Sequence, residues 1–260
     1  MDFFDSDGKP VVTPRELVRS LTRRRIGIKS LRVEACALIC VARHDLRALV
    51  PMLQGRLVKA WQGYREIYQG QVGEGKVTIA LTPPGAPNCV ALAEELAAFG
   101  MERVIFMGYC GSLQQGVRAG AIIVPVEAIR EEGTSFHYLP PGVSARPNQE
   151  TQGVIVDCLK RGKIPHHQGT IWTTDAIYRE TAGKIKRYQD QGVLGVEMEL
   201  SALFAFGMAR GVAVGGILVV SDELSPADWR PRFFSPRLIH GARRARKVVV
   251  EILRKMVSIL

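Results

Sequence analysis

Two kinds of apolar pattern alternate along the chain. Short, almost continuous apolar runs, several rich in β-branched residues, occur at Ala35–Ala42, Lys76–Thr82, Arg103–Met107, Ala121–Val126, Gly169–Thr173 and Gly215–Ser221. Runs of this length without regular polar alternation are those of strands covered on both faces. Between them, apolar residues return every three or four positions, the spacing of helices with one buried face. One helix is predicted from Thr13-Pro14, where a capping threonine precedes a proline in the first turn. Others are predicted near Asp45, over Cys89–Phe99 (capped by Asn88 and stopped at Gly100), and over Gln149–Arg161, Arg179–Gln191, Glu197–Arg210 and Pro236–Ile259. A short strand, Val193–Val196, feeds the helix expected from Glu197.

Strands interleaved with helices predict an α/β fold, a single domain with a central mixed sheet flanked by helices. The loops Thr82–Pro87 and Pro140–Pro147 are short enough to lie within one domain, and no repeat or low-complexity linker divides the chain. The expected organisation is an N-terminal extension over residues 1–32 and a catalytic domain over residues 33–260. The extension is charged and carries one short helical pattern, suited to packing on its own domain or on a partner subunit.

Composition narrows the class. The 260 residues are 47% hydrophobic and 23% charged, as in a globular chain rather than a disordered one. The apolar stretches are far shorter than the roughly 20 residues that cross a bilayer. The acidic start, Met1–Asp7, lacks the basic-then-apolar order of a secretory signal. Five cysteines (Cys36, Cys40, Cys89, Cys110, Cys158) form no Cys-x-x-Cys pair, so neither a disulfide framework nor a zinc ribbon is expected. These features predict a reducing, cytoplasmic compartment. The net charge of +10 is concentrated in Arg15–Lys29 and Arg230–Lys255, read as solvated faces, the second as the wet side of an amphipathic final helix. No basic stripe interleaved with aromatic residues points to nucleic acid, and no membrane partner is expected.

Four segments carry candidate chemistry. Glu197 and Glu199 stand at the opening of a predicted helix, too close in sequence to share one of its faces. One can serve a ligand while the other makes a structural bond, although glutamates also favour any helix N-terminus. Ser221-Asp222 ends a buried strand at the carboxyl edge, where open α/β sheets hold ligands, and a partly buried aspartate there can act as an acid. Gly108-Tyr109-Cys110-Gly111-Ser112 follows a strand, and glycines there allow backbone to approach an anion. Gly133-Thr134-Ser135-Phe136-His137-Tyr138 is a polar and aromatic loop in which Phe136 and His137 could stack on a base. The five histidines are scattered, and the adjacent His166-His167 suits a surface loop rather than chelation, so no metal site is predicted.

In this order, these segments resemble the nucleoside phosphorylase family that includes uridine phosphorylase and the hexameric purine nucleoside phosphorylases. Val196-Glu197-Met198-Glu199 followed by Ser221-Asp222 is the most specific part. Gly85-Ala86-Pro87-Asn88 and Thr173-Thr174-Asp175-Ala176-x-Tyr178 support it. The resemblance implies that Met198 and Glu199 hold the ribose, Glu199 accepting from its hydroxyls, and that Asp222 protonates a leaving purine. It extends the base site to Phe136, His137, Glu197 and Ser221. Asp222 favours a purine-like base, whereas Gly133–Tyr138 looks more like the uridine type. It also implies a homo-oligomer, dimer or hexamer, needing no cofactor beyond phosphate as co-substrate.

The phosphate site departs from the family pattern. Where the family has Gly-Asp-Pro-x-Arg, this chain reads Arg43-His44-Asp45-Leu46-Arg47; a second phosphate-binding arginine matches Phe106, and a serine or threonine matches Tyr109. Arg43, Arg47, Arg65, Gly108 and Tyr109 are the phosphate candidates that remain. Three activities follow: phosphorolysis through a rearranged anion site, hydrolysis with water replacing phosphate, or catalytically silent nucleoside binding.

Overall fold

The computed structural model describes residues 3–5, 8–22, 27–225 and 227–259, with Ile28 and Lys29 described by backbone alone. Arg23, Arg24 and Arg25 of the first basic cluster lie outside the described residues. The first helix, α1 (Pro14–Leu21), begins as expected, with the Thr13 side chain accepting from the Glu16 amide. It packs on α3 (Ala86–Ala98) of the same chain: Val18 is buried and the Arg15 guanidinium donates to the Ala98 carbonyl.

The sheet grows around β5 (Arg103–Ser112) and β9 (Ala213–Ser225), which pair in parallel. β9 also pairs antiparallel with β6 (Ile122–Glu131), β6 with β7 (His166–Thr174), β7 with β8 (Gly195–Glu197), and β8 with β5. These five strands therefore close into a ring. Outside it, β5 pairs with β1 (Cys36–Cys40), which pairs with β4 (Gly75–Leu81), followed by β3 (Ile67–Val72) and β2 (Arg56–Leu57). On the other side β10 (Asp228–Pro231) folds back on β9 as a hairpin. One helical layer holds α1, α3 and α6 (Leu200–Arg210); the other holds α2 (Arg43–Met52), α4 (Gln149–Arg161) and α7 (Pro236–Ser258). A short helix, α5 (Ala182–Asp190), closes a smaller apolar cluster with Trp172 and Val196. The result is the single-domain mixed α/β architecture that the apolar pattern predicts.

Several boundaries differ from those predicted. β5, β6 and β9 run past Met107, Val126 and Ser221, because ring closure supplies partners for glycine-rich and polar segments with little strand pattern of their own. β3 and β10 were not evident because they are hairpin strands outside the ring whose apolar content is low. Asn88 does not cap α3. Gly85 holds that position at φ +107°, a conformation that favours glycine, and Asn88 donates instead to the Pro84 carbonyl. α5 starts at Ala182 rather than Arg179, and α6 at Leu200 rather than Glu197. His166 and His167 open β7 instead of lying in a loop.

The final helix has a buried stripe at Leu238, Ala242, Ala245, Val249, Ile252 and Met256, so most of its basic residues face out as expected. Arg244, whose guanidinium reaches the Gly120 carbonyl, and Arg246 are the exceptions and turn inward. α7 also crosses the Gly120 turn at contact distance: a Cβ on Gly241 would meet the Gly120 carbonyl oxygen at 2.2 Å. We expect Gly241→Ala to destabilise the fold by about 2–3 kcal/mol, lowering the melting temperature by roughly 4–10 °C. An unchanged melting temperature would show that the helix can shift away without loss.

Candidate active site

β8 delivers Glu197 to the start of α6, and the two acidic residues then part company. The first helical amides have no partners within the helix. The Glu197 Oε2 accepts from the amides of Glu199 at 2.8 Å and Leu200 at 2.9 Å, while Oε1 accepts from the Thr173 hydroxyl. That hydroxyl in turn accepts from the Ser201 amide at 3.0 Å. Glu197 reaches the cavity wall, but its carboxylate is committed to capping α6 and joining it to β7. Glu199, 4% exposed, turns the other way, and its Oε1 accepts from the Gly85 amide at 2.6 Å. The positive φ of Gly85 aims that amide at Glu199.

These residues line a cavity of about 720 Å³ at the rim of the ring. Met198 and Glu199 form one wall, Tyr109 and Gly111 from β5 another, and Ser221 and Asp222 from β9 a third. The register of β5 and β9 shifts by one residue at Cys110–Gly111, setting Gly111 opposite Asp222. A side chain at Gly111 would strike Leu224 at 2.2 Å and the Asp222 carboxylate at 2.9 Å, so the close approach requires glycine. The Asp222 Oδ2 accepts from the Trp229 indole N–H at 2.8 Å across the β9–β10 hairpin, and Oδ1 lies 2.6 Å from the Ser221 hydroxyl. Ile177, Tyr178 and Glu180, from the turn before α5, complete the opening. Phe136 and His137 do not line this cavity. Phe136 lies under the Arg130 guanidinium at 4.2 Å, and His137 stacks on Phe3.

The anion candidates are dispersed. Arg43 pairs with Glu66 at 2.6 Å. Arg65 forms a two-bond pair with the buried Glu95, at 2.8 and 2.9 Å. Arg47 is exposed on α2, and Gly108 lies buried within β5. Only Tyr109 among the five lines the cavity, whose described lining contains no Lys, Arg or His. A second cavity of about 570 Å³ adjoins the first through Tyr109, Ser221 and Phe233, and His44 and Arg246 line it. There the Tyr109 hydroxyl meets His44 Nε2 at 2.8 Å, and Arg246 pairs at 2.5 Å with the fully buried Asp45. Burial, reinforced by Asp45, raises the Tyr109 pKa and keeps its hydroxyl a donor. Residues His44, Glu180, Trp229 and Arg246 were not among the sequence candidates. His44 stands inside the stretch Arg43–Arg47 that matches a family motif, whereas Arg246 sits in a basic helix whose period reads as surface.

The site is thus a ring-closed α/β domain with a glutamate at a helix mouth and an aspartate across the same cavity. The profile of the phosphorylase superfamily matches residues 37–254, and the chain belongs to that family. A guanosine phosphorylase from Halorubrum lacusprofundi is 31% identical over 148 residues, which are 57% of this chain and 61% of that one. The chain thus matches about three fifths of that relative's length. A uridine phosphorylase from Haemophilus influenzae is 27% identical over 177 residues, 62% of this chain and 68% of that one. Among solved structures, a purine nucleoside phosphorylase from Toxoplasma gondii in complex with immucillin-H superposes with a TM-score of 0.81 at 22% identity, covering 89% of this chain and 94% of the other. No described helix is long and apolar enough to cross a membrane.

Glu197 and Glu199 share a buried site, which favours their protonated forms. Burial, with the neighbouring Glu199 charge, pushes the Glu197 pKa up to about 8, against the pull of its hydrogen-bond donors. Burial pushes Glu199 up to about 7. Raised folded-state values mean that this contribution to stability is present below the unfolded value of about 4.5 and is lost as pH rises through 7–8. Glu199→Gln removes one ionisation and keeps an acceptor for Gly85. The melting temperature of that variant relative to wild type should rise between about pH 5 and 8; a difference independent of pH would exclude the coupling.

Proposed function

We propose that the chain cleaves the N-glycosidic bond of a purine-like nucleoside, or of uridine, with phosphate, releasing the free base and ribose 1-phosphate. The observation that carries this reading is the shared cavity of Glu199 and Asp222. As the bond from C1′ to the base nitrogen lengthens, positive charge develops on the ribosyl group and the bonding electron pair goes to the base. Glu199, with Met198 against the sugar, accepts from the ribose hydroxyls and stabilises that charge. Asp222 donates a proton to the departing base, its side chain oriented by Trp229 and Ser221. A phosphate oxygen then bonds to C1′. The relatives named guanosine phosphorylase and uridine phosphorylase support this class of reaction.

The acceptor enters on the Tyr109 side in this reading. Phosphate would draw on Tyr109 and Gly108 with Arg43, Arg47 and Arg65, and the adjoining cavity adds His44 and Arg246 as donors. Phe136, His137 and Glu197 remain base-side candidates, the first two by way of a neighbouring subunit in a dimer or hexamer of this chain. The enzyme acts in the cytoplasm and requires no metal or cofactor. Hydrolysis is the second reading, and one observation favours it: Arg43, Arg65 and Arg246 are each already paired with a carboxylate of the same chain. Silent binding leaves an acid beside the base without a purpose.

Base release from purine nucleosides and uridine, measured in phosphate-free buffer and again with phosphate, separates the readings. Phosphorolysis predicts release that depends on phosphate; equal rates in both buffers would overturn it in favour of water. Asp222→Asn is expected to lower turnover of purine nucleosides by at least about 100-fold, the range for losing a general acid. Full activity in that variant removes Asp222 from the mechanism.

A further inference from the structure

Five carboxylates line the main cavity: Glu180, Glu197, Glu199, Asp222 and Asp228. Four have partners, since Glu197 caps α6, Glu199 accepts from Gly85, Asp222 is held by Trp229 and Ser221, and Asp228 pairs with Arg230. Glu180 is different. It sits half-buried between the turn at Ile177–Arg179 and α5, and its carboxylate accepts no hydrogen bond from any described residue. Lys184, the cation acting on it, is already paired with Glu131. A half-buried carboxylate without donors is unfavourable in the free protein, and a ligand that supplies donors removes that cost.

We propose, resting on the nucleoside-cleaving reading above, that Glu180 reads the base and selects a guanine-type base, one with a ring N–H beside an exocyclic amino group. Two such N–H groups point in parallel from adjacent atoms and match the two oxygens of one carboxylate. Adenine offers an acceptor nitrogen on that edge, and uracil offers one N–H between two carbonyl oxygens that the carboxylate repels. Asp222 fits the same arrangement. Burial and the Asp222 charge push the Glu180 pKa up to about 7, and a ligand that supplies two donors favours its charged form. Both side chains line the one cavity, so Asp222 can face the imidazole side of the purine while Glu180 accepts from the ring N–H and the amino group on the opposite edge.

The test compares kcat/KM for guanosine, inosine, which lacks the amino group, and adenosine in wild type and in Glu180→Gln. The amide keeps the size of the side chain but turns an NH2 group toward the base donors. Wild type is expected to prefer guanosine to inosine and to adenosine by about tenfold or more, as for a charge-assisted hydrogen bond. In the variant the loss on guanosine should exceed that on adenosine by about 30-fold, and the preference for guanosine over inosine should vanish. A uniform loss across all three substrates would mark Glu180 as structural and overturn the proposal, as would wild-type enzyme that turns over nucleosides without preferring guanosine. Calorimetric titration of wild type with guanine and with adenine reads the same selectivity without a variant, and equal affinities would also overturn it. Wild type that releases no base from any nucleoside refutes the underlying reading as well, so the two failures are distinguishable.

Discussion

The carboxylate of Glu197, buried at the N-terminus of α6, joins the parts of the molecule that make the cavity. It accepts from two amides at the start of the helix and from Thr173 on β7, and Ser201, one turn further along, binds both Thr173 and the buried Glu132. Glu132 in turn accepts from the Ser135 amide. A buried carboxyl group is tolerated when several donors surround it, and the first amides of the helix supply them. This network ties β7, β8, α6 and the loop after β6 into one unit. Its consequence is positional: with Glu197 held inward, the chain must turn before α6, and Met198 and Glu199 emerge at the cavity.

The opposite wall depends on a different constraint, the close pairing of β5 with β9. The register shift at Cys110–Gly111 and the missing side chain of Gly111 let Asp222 and Leu224 come within contact of the β5 backbone. The β9–β10 hairpin then brings the Trp229 indole onto Asp222. Glu199 and Asp222 are therefore mounted on separate rigid elements, a helix mouth and a pair of long strands, rather than on loops. The candidate anion-binding residues are arranged otherwise. Arg43, Arg65 and Arg246 are paired with carboxylates of the same chain, so an incoming anion would compete with Glu66, Glu95 or Asp45 for each of them.

The sequence by itself determined much of this protein. Continuous apolar runs marked strands buried on both faces, and three- to four-residue spacing marked the helices, since those periods follow from local backbone geometry. Val-Glu-Met-Glu and Ser-Asp marked the two walls, because their residue types and order are specific. Tertiary structure alone decided the rest. Closure of the ring extended β5, β6 and β9 through polar and glycine-rich segments, as a strand needs only a partner for its backbone, not an apolar pattern. The division of labour between Glu197 and Glu199 depended on which carboxylate the amides of α6 captured. Arg246 lies about 200 residues from Asp45 in sequence and within a basic helix, and only packing turned it inward to that buried charge. Glu180 had no motif, and its place beside Asp222 arises because the turn before α5 folds over the edge of β9, a contact between distant segments that no local period encodes.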